Sequence, residues 1–451
     1  MTCKMYTEYT KNVHVNVELI NKMTKIKKIA EERKMTMKKM LAIGLAAAMS
    51  VSALTGCGSS SKEATTAPTA AAEAKTEEAK AEEEHAEETA AEESGETIRI
   101  GAIAPVTGDR AEAGQSVWRS FQLAADDINA KGGVLGKKIE IVLEDSKGDA
   151  KEAVELTKKL ADDDSICAVL GPMTSAEAIA CSPVFDEYEL VELAPVASNN
   201  QYATMSPYSF TLAGRQSAEM PYFVEKCLAG YCGAKSIGVI WVNDDWGVSS
   251  IESMKEACDQ LGIEVTAAES FNAGEKDFTA VLTKIRQTNP EILVLATQAA
   301  EGSLILNQVK AMGWEISTVG VGAMYSDQVI LLAGEMAEGL IAPSCFFLSE
   351  DDKPAWDYAV RFYDEAGFYP TVHGPLSYDS VVVLCAAIEK AGSADRVAIK
   401  DALMEISDVQ GLAGSYEFTE DGDIIRAYRV LKVEDGKWTA VTEYETSSLA
   451  K

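Results

Sequence analysis

The sequence predicts an α/β fold made of two successive units, each a parallel sheet covered by helices. Three observations predict it. Short apolar runs alternate with segments whose apolar residues recur every three or four positions, the pattern of strands followed by amphipathic helices. The same rhythm restarts near residue 237. In addition, about 350 residues follow residue 96, which is long for a single hydrophobic core.

The first unit is predicted to run β-α-β-α-β-α-β. Residues 98–104 form a buried type of strand, and Gly132-Gly133 ends the helix that follows. That helix has one apolar face, formed by Val117, Phe121, Ala125 and Ile128. The later strands are predicted at 139–143, 167–170 and 190–193, and the later helices at 150–160 and 176–184. This order implies a parallel sheet with helices on both faces.

The second unit repeats the pattern, and a mixed tail follows it. Strands are predicted at 237–242, 263–267, 292–296 and 318–321, and helices at 249–261, 278–285 and 303–312. Three helices between residues 354 and 406 and short strands near Tyr416, at 428–433 and at 438–441 complete the chain. The late return of helices and strands indicates that the chain crosses between two lobes more than once.

The segment before the first strand carries export signals. Lys38 and Lys39 precede an apolar run at 40–54, which has the length of a signal peptide and is too short for an ordinary membrane span. The run closes with Leu-Thr-Gly-Cys, which resembles the bacterial lipobox, where the cysteine is acylated and becomes the new N-terminus. We therefore expect a lipoprotein signal at 37–57, with Cys57 as the lipidation site. The alternative is an ordinary cleaved signal with a chance cysteine.

The flanking segments are interpreted accordingly. Residues 1–36 are expected to be an upstream extension from a mis-assigned start. Residues 58–96 are rich in Ala, Glu and Thr, and from Gly58 to Glu96 they lack aromatic and β-branched apolar side chains. Such a segment cannot bury enough apolar surface to offset its chain entropy, so a disordered acidic tether is predicted. A helical spacer is the alternative, because Ala and Glu favour helix.

Composition excludes several classes of function. The chain carries 71 acidic and 41 basic residues, which argues against nucleic acid or an anionic membrane surface as a partner. Its nine cysteines are scattered and predict no disulfide framework, although Cys227 and Cys232 could form a bridge. Of three histidines only His373 lies in the predicted folded region, so neither a multi-histidine metal site nor a Ser-His-Asp hydrolase is supported. We predict no catalytic residue, metal or cofactor.

Two strand ends offer a candidate ligand site instead. In open α/β sheets, ligands bind beyond the carboxyl ends of the strands. The strand at 167–170 leads through Gly171 to Thr174 and Ser175, whose hydroxyls can cap a helix and whose free amides favour a carboxylate. A neighbouring strand ends in Ala-Pro-Val-Ala-Ser at 194–198, a second exit with a hydroxyl. The alternative is a plain helix cap without a ligand.

Three separated motifs carry a resemblance that covers residues 98–441. They are Asp-Asp-Ile-Asn-Ala-Lys-Gly-Gly at 126–133, Ala-Gly-Glu-Lys-Asp-Phe at 273–278 and Ala-Gly-Glu-Met-Ala-Glu-Gly at 333–339. The chain resembles the branched-chain amino-acid (leucine/isoleucine/valine) binding proteins, the type I extracytoplasmic receptors of ABC importers.

The resemblance implies two Rossmann-like lobes, of residues 97–215 with 346–428 and of 216–345 with 429–446. A three-segment hinge would join them near Arg215, Cys345 and Arg429. It also implies a monomer that captures a small-molecule ligand and serves ABC permease and ATPase subunits. With the lipobox, it implies a lipid anchor that holds the protein on the extracellular face of the cell membrane.

The family's ligand contacts carry over only in part. Ser175 and Ser198, with the Val196 backbone, match positions that hold the ligand α-carboxylate, and Thr174 lies beside them. Trp246 matches an aromatic residue that packs against the ligand, although a core position is the alternative. The departures are Gly322 in place of an acidic residue for the ammonium, Ala113 in place of an aromatic residue and Gln298 in place of a tyrosine.

Two further residues are candidates with alternatives. Arg215 is either a second contact for an anion or a hinge salt-bridge partner, and Tyr325 is expected to fill space left by Gly322. We therefore expect a carboxylate-bearing ligand that differs from a simple branched-chain amino acid, because a lost charge-assisted bond of about 1.5–3 kcal/mol changes specificity. A sensor module coupled to a signalling partner and an exported enzyme that uses His373 are the open alternatives.

Overall fold

The computed structural model describes residues 97–108 and 110–449. Its first sheet is parallel throughout, with strand order β2-β1-β3-β4-β5. The strands are β1 (Ile98–Ala104), β2 (Ile139–Asp145), β3 (Ile166–Leu170), β4 (Val191–Ala194) and β5 (Ser209–Thr211). The apolar runs that predicted β1, β3 and β4 are largely buried, whereas β2, at one edge of the sheet, is mostly half-buried.

The second sheet has seven strands, in the order β14-β13-β10-β9-β8-β6-β7. The strands are β6 (Ser236–Val242), β7 (Glu264–Phe271), β8 (Ile292–Ala296), β9 (Ser317–Gly320), β10 (Ile341–Ser344), β13 (Arg429–Glu434) and β14 (Lys437–Ala440). β6 to β10 are parallel, whereas β13 and β14 add two antiparallel strands at one edge. A separate hairpin pairs β11 (Val409–Gly411) with β12 (Gly414–Tyr416).

Helices connect and cover both sheets. They are α1 (Ala111–Ala130), α2 (Ala150–Ala161), α3 (Ser175–Glu187), α4 (Gln216–Tyr222), α5 (Asp245–Leu261), α6 (Thr279–Gln287), α7 (Ala299–Ala311), α8 (Asp327–Ala333), α9 (Lys353–Ala366), α10 (His373–Ala391) and α11 (Arg396–Met404). α4 continues directly as a π-helical segment, Phe223–Tyr231, and short 3₁₀ turns occupy Tyr202–Thr204, Gly322–Met324 and Gly334–Ala337.

The buried side chains divide between the two sheets. Residues of β1 and β3 to β5 share one core with α1, α10, α11 and the hairpin, while α2 and α3 pack on the same sheet and α9 packs on α1. We call this the first lobe. The second sheet packs with α4 to α8 and forms the second lobe.

The chain passes between the lobes after β5, after β10 and before β13. The predicted α/β class with parallel sheets is therefore confirmed, while the residue boundaries of the lobes stay predictions.

Three elements of the second lobe and two strands of the first, β5 and β11, were not predicted from the sequence. β5 has only three residues, α4 contains Pro221 and β10 contains Pro343. Proline removes a backbone donor, so it argues against helix interiors and central strands in a sequence. α8, only seven residues long, was also missed because it spans barely two turns.

The N-terminal predictions lie outside the described residues. These are the extension at 1–36, the signal at 37–57 with Cys57, and the tether at 58–96. Within residues 97–449, no described helix combines the length and apolar character needed to cross a membrane. Cys227 and Cys232 both carry free thiols.

Candidate functional site

A cavity of about 250 Å³ lies between the two lobes, at the carboxyl ends of their parallel strands. Most of the residues predicted from sequence line it. These are Thr174, Ser175, Val196, Ser198, Trp246, Gln298 and Gly322. Residues far apart in the chain therefore meet where the topology of each sheet places its strand ends.

The first-lobe wall is built by the turn from β3 into α3. Gly171 has φ +98°, and a Cβ there would lie 2.3 Å from the carbonyl oxygen of Ile103, so the turn requires glycine. Thr174 caps α3: its hydroxyl oxygen accepts from the Glu177 amide, and the Glu177 carboxylate accepts from the Thr174 amide at 3.1 Å. Because the Thr174 hydroxyl also donates to Glu177, it serves the cap. The amides of Ser175 and Ala176 have no acceptor within the helix and lie at the cavity.

Gln216 connects this wall to the second lobe. Its Nε2 donates to Ser198 Oγ at 2.9 Å and to Glu219 Oε2 at 3.0 Å, and its Oε1 accepts from Ser250 Oγ at 2.7 Å. The side chain is fully buried. A single amide thus fixes a hydroxyl of the first lobe and a carboxylate and a hydroxyl of the second.

Glu219 is a carboxylate in the cavity wall that the sequence analysis did not single out. Its Oε1 accepts from the Gly322 amide at 3.1 Å. Burial raises its pKa, while the hydrogen bonds from Gln216 and Gly322 act in the opposite direction. No local motif marks it, because it lies inside a short helix with a proline two residues later.

The second-lobe wall comes from the ends of β6, β8 and β9. Asp244 caps α5 by accepting from the Gly247 amide at 2.8 Å, which sets Trp246 in the first turn at the cavity. Trp246 also packs against the second-lobe core, while its contact with a ligand stays a prediction. Gln298 is the N-cap residue of α7, and Gly322 follows β9.

An ion pair joins the lobes beside the cavity. Arg110 Nη2, from the loop after β1, lies 2.5 Å from Asp244 Oδ2, from the loop after β6. Nearby, Asn199 Nδ2 donates to the Asp245 carbonyl at 2.7 Å, and Asn200 bonds to Ser249 and Ser253 of α5. The two lobes are therefore in contact around the cavity.

Two more cavity residues are titratable but not charged at neutral pH. Burial, assisted by the Arg110 charge, lowers the pKa of His373 to about 4, so its ring is neutral. Burial raises the pKa of Tyr428, and the Glu219 charge adds to this effect. The Tyr428 hydroxyl is buried without a hydrogen-bond partner in the described part of the chain. Among these residues, no cluster of His, Cys, Asp and Glu has the arrangement of a metal site.

Three predicted residues lie away from the cavity. Arg215 forms ion pairs of 3.0 Å with Asp421 and Asp423, the hinge arrangement that the alternative interpretation describes. Tyr325 packs edge-on against Trp438 in the second-lobe core, and its hydroxyl accepts from the Leu348 amide. Ala113 packs against the first-lobe core. Ligand contact by these three has no support from the cavity geometry.

Comparison with known proteins places the chain in a family. Residues 97–437 match the family model described as "Periplasmic binding protein". An "Amino acid binding protein" of Pseudomonas aeruginosa is 28% identical over 344 residues, covering 75% of this chain and 91% of the relative.

Solved structures agree with this match. The branched-chain amino acid transporter substrate binding protein LivJ from Streptococcus pneumoniae, in complex with isoleucine, is 27% identical with a TM-score of 0.70, covering 78% of this chain and all of its own. A solute binding protein of an ABC transporter from Rhodopseudomonas palustris, in complex with 3,4-dihydroxybenzoic acid, shares the fold at 20% identity and a TM-score of 0.72, covering 78% of this chain and 98% of its own.

These matches confirm the resemblance found in the sequence, the type I fold and the prediction of a binding protein rather than an enzyme. The chain belongs to the periplasmic binding protein family.

Proposed function

We propose that this protein is the extracytoplasmic substrate-binding lipoprotein of an ABC importer. It captures a small carboxylate-bearing ligand, an amino acid or a related compound, between its two lobes and delivers it to a membrane permease. The residues that line the cavity come from both lobes of one chain, which supports a monomer as the binding unit.

The observation that carries this proposal is the N-terminal turn of α3 in the cavity wall. The first turn of α3, whose free amides carry positive partial charge, lines the cavity together with Ser198. Both serines are almost fully buried, so an anion bound here would be held by groups that water does not compete for.

The size of the cavity limits the ligand. Its volume of about 250 Å³ lies just below the range of roughly 300–1,000 Å³ typical of small-molecule sites. Trp246, Val196 and Leu376 supply apolar surface. A compact molecule with one apolar part and one carboxylate fits these walls.

The ligands bound to two similar proteins both carry a carboxylate. Isoleucine is bound to the Streptococcus pneumoniae protein and 3,4-dihydroxybenzoic acid to the Rhodopseudomonas palustris protein. These two ligands differ in their amino group and their apolar part, which leaves both amino acids and aromatic acids as candidates for this chain.

A thermal-shift screen followed by calorimetry tests the proposal. The panel contains L-leucine, L-isoleucine, L-valine, other L-amino acids, short peptides and aromatic acids, including 3,4-dihydroxybenzoate. We expect at least one carboxylate compound to raise the melting temperature and its carboxamide analogue to have no effect. If no carboxylate compound binds, or if the carboxamide binds equally well, the proposal is wrong.

The membrane anchor belongs to the same proposal. The Leu-Thr-Gly-Cys motif supports acylation of Cys57, and the segment at 58–96 would hold the lobes away from the outer face of the cell membrane. This arrangement would keep the captured ligand close to the permease.

A further inference from the structure

We propose that Glu219 binds the ammonium group of the ligand, so that the site selects small molecules carrying a carboxylate and an ammonium close together. This inference rests on the proposed function, because it assigns a second charge to the same ligand. It replaces the expectation that a glycine at position 322 leaves the ammonium without an acidic partner.

The Glu219 carboxylate lies beside residue 322 in the cavity wall. The Gly322 amide donates to Glu219 Oε1 at 3.1 Å, and a Cβ at position 322 would lie 2.6 Å from that same oxygen. The Glu219 carboxylate therefore occupies the space that a side chain at position 322 would enter. An acidic group is present at this point of the cavity, but it comes from α4 rather than from the loop after β9.

The negative charge of Glu219 has no positively charged side chain beside it in the described part of the chain. Its hydrogen-bond donors, the Gln216 side chain and the Gly322 amide, are both uncharged. Within residues 97–108 and 110–449, no lysine or arginine is among the groups that shift its pKa. A buried carboxylate without an opposite charge is costly, and burial accordingly raises its pKa. A cation that enters the cavity would supply the missing charge, and each oxygen still has a lone pair to accept a bond.

Ser198 and Glu219, which belong to the two proposed subsites, lie close together. One atom, Gln216 Nε2, donates to both Ser198 Oγ and Glu219 Oε2, at 2.9 and 3.0 Å. These two acceptors cannot lie farther apart than the sum of the two distances. An α-amino acid carries its carboxylate and ammonium on one carbon and can reach both subsites at once.

The Tyr428 hydroxyl adds a polar group at the same end of the cavity. It is buried and unpartnered within the described residues, and the Glu219 charge acts on its pKa. Polar groups from both lobes and from the hinge thus lie together in the cavity, and the apolar part of the ligand would lie against Trp246.

Calorimetry with matched ligands tests the assignment. The probes are L-leucine, L-isoleucine and L-valine and, for each, the 2-hydroxy acid of the same carbon skeleton. We expect the wild-type protein to prefer the tightest-binding amino acid over its hydroxy acid by roughly 10- to 100-fold, the value of one charge-assisted hydrogen bond. Glu219→Gln should lose roughly the same factor for the amino acid and change little for the hydroxy acid.

Glu225→Gln is the matched control. Glu225 lies two turns further along the same helical segment and also accepts several hydrogen bonds, from Ser447 and Ser448, but it does not line the cavity. We expect this variant to bind like the wild type. A melting curve of Glu219→Gln, with its affinity for the hydroxy acid, separates a lost contact from a lost fold.

The outcomes also separate this inference from the proposed function. If Glu219→Gln binds the amino acid as tightly as the wild type, or if the wild type prefers hydroxy or aromatic acids, Glu219 is not the ammonium partner, while carboxylate capture stands. If no carboxylate compound binds the wild type, the proposed function itself fails.

Discussion

Arg110 and Asp244 form an ion pair that we expect to stabilise the arrangement in which the lobes meet around the cavity. Their atoms lie 2.5 Å apart, and the side chains are 20% and 23% exposed. At an effective dielectric near 20 the attraction is roughly 7 kcal/mol, but desolvation offsets most of it. We expect a net coupling of about 1–2 kcal/mol, which is roughly a 5- to 30-fold change in ligand affinity.

A double-mutant cycle measures the coupling free energy between Arg110 and Asp244. Arg110→Met removes the cation and keeps much of the side-chain volume, and Asp244→Asn removes the charge while keeping a good N-cap residue for α5. Since Arg110 also lines the cavity, a single variant would mix lobe contact with ligand contact. The affinity of both variants and of the double variant for the tightest ligand, measured by calorimetry, gives the coupling directly.

The control is an ion pair inside one lobe. Arg361 lies 2.7 Å from Asp127, and α9 and α1, which carry them, both belong to the first lobe. Arg361→Met should therefore leave ligand affinity unchanged. A coupling below about 0.3 kcal/mol between positions 110 and 244 would show that the pair does not favour the closed lobes.

Three further predictions concern the turn at Gly171, the lipid anchor at Cys57 and the carboxylate of Glu219. Gly171→Ala should lower the free energy of unfolding, measured by urea denaturation, by at least about 3 kcal/mol. The control Gly262→Ala, at φ +67° with open space around the new Cβ, should lower it by only about 1 kcal/mol. Equal losses would contradict the close approach at position 171. Cys57→Ser should abolish incorporation of a labelled fatty acid and release the protein from the cell surface. If the Cys57→Ser variant still incorporates the labelled fatty acid, Cys57 is not the lipidation site. Because the pKa of Glu219 is raised above the ordinary value of 4.5, its charge disappears at a higher pH than that of an ordinary glutamate. The affinity for an amino acid should therefore fall as the pH is lowered, and the fall should begin above the range in which an ordinary glutamate titrates. Calorimetry from neutral to acidic pH should find a weaker dependence in Glu219→Gln, and equal slopes would assign the effect to another group.

Periodicity predicted the elements that carry long apolar patterns. The strand at 98–104 has the bounds of β1, and the helix with an apolar face through Val117 and Ile128 is α1. These elements are specified locally, since every second, third or fourth side chain enters the same core. The strands β5 and β10 were not predicted, because each is very short and is held mainly by neighbouring strands rather than by its own pattern.

The residues of the cavity also divide into those that the sequence could predict and those that it could not. Ser175 and Ser198 could be found because each lies directly after a recognisable strand, and the topology of a parallel sheet brings such ends together. Glu219 could not, since its position depends on Gln216 and Gly322, the second of which is 103 residues away. Arg110 and Asp244 are 134 residues apart, and only the packing of the two lobes makes them partners.

Gln216 shows why recognition and lobe contact depend on each other in this protein. Its amide nitrogen bonds to Ser198 in the first lobe, and its oxygen accepts from Ser250 on α5, the helix that carries Trp246. If the lobes separated, Ser198 and Glu219 could no longer share that amide, so the carboxylate and ammonium subsites would lose their mutual distance. With the proposed subsites, a ligand with both charges would contact both only when the lobes meet, whereas one with a carboxylate alone would be held by the first lobe in either state. The charge pattern of the ligand would therefore decide how strongly its binding favours closure.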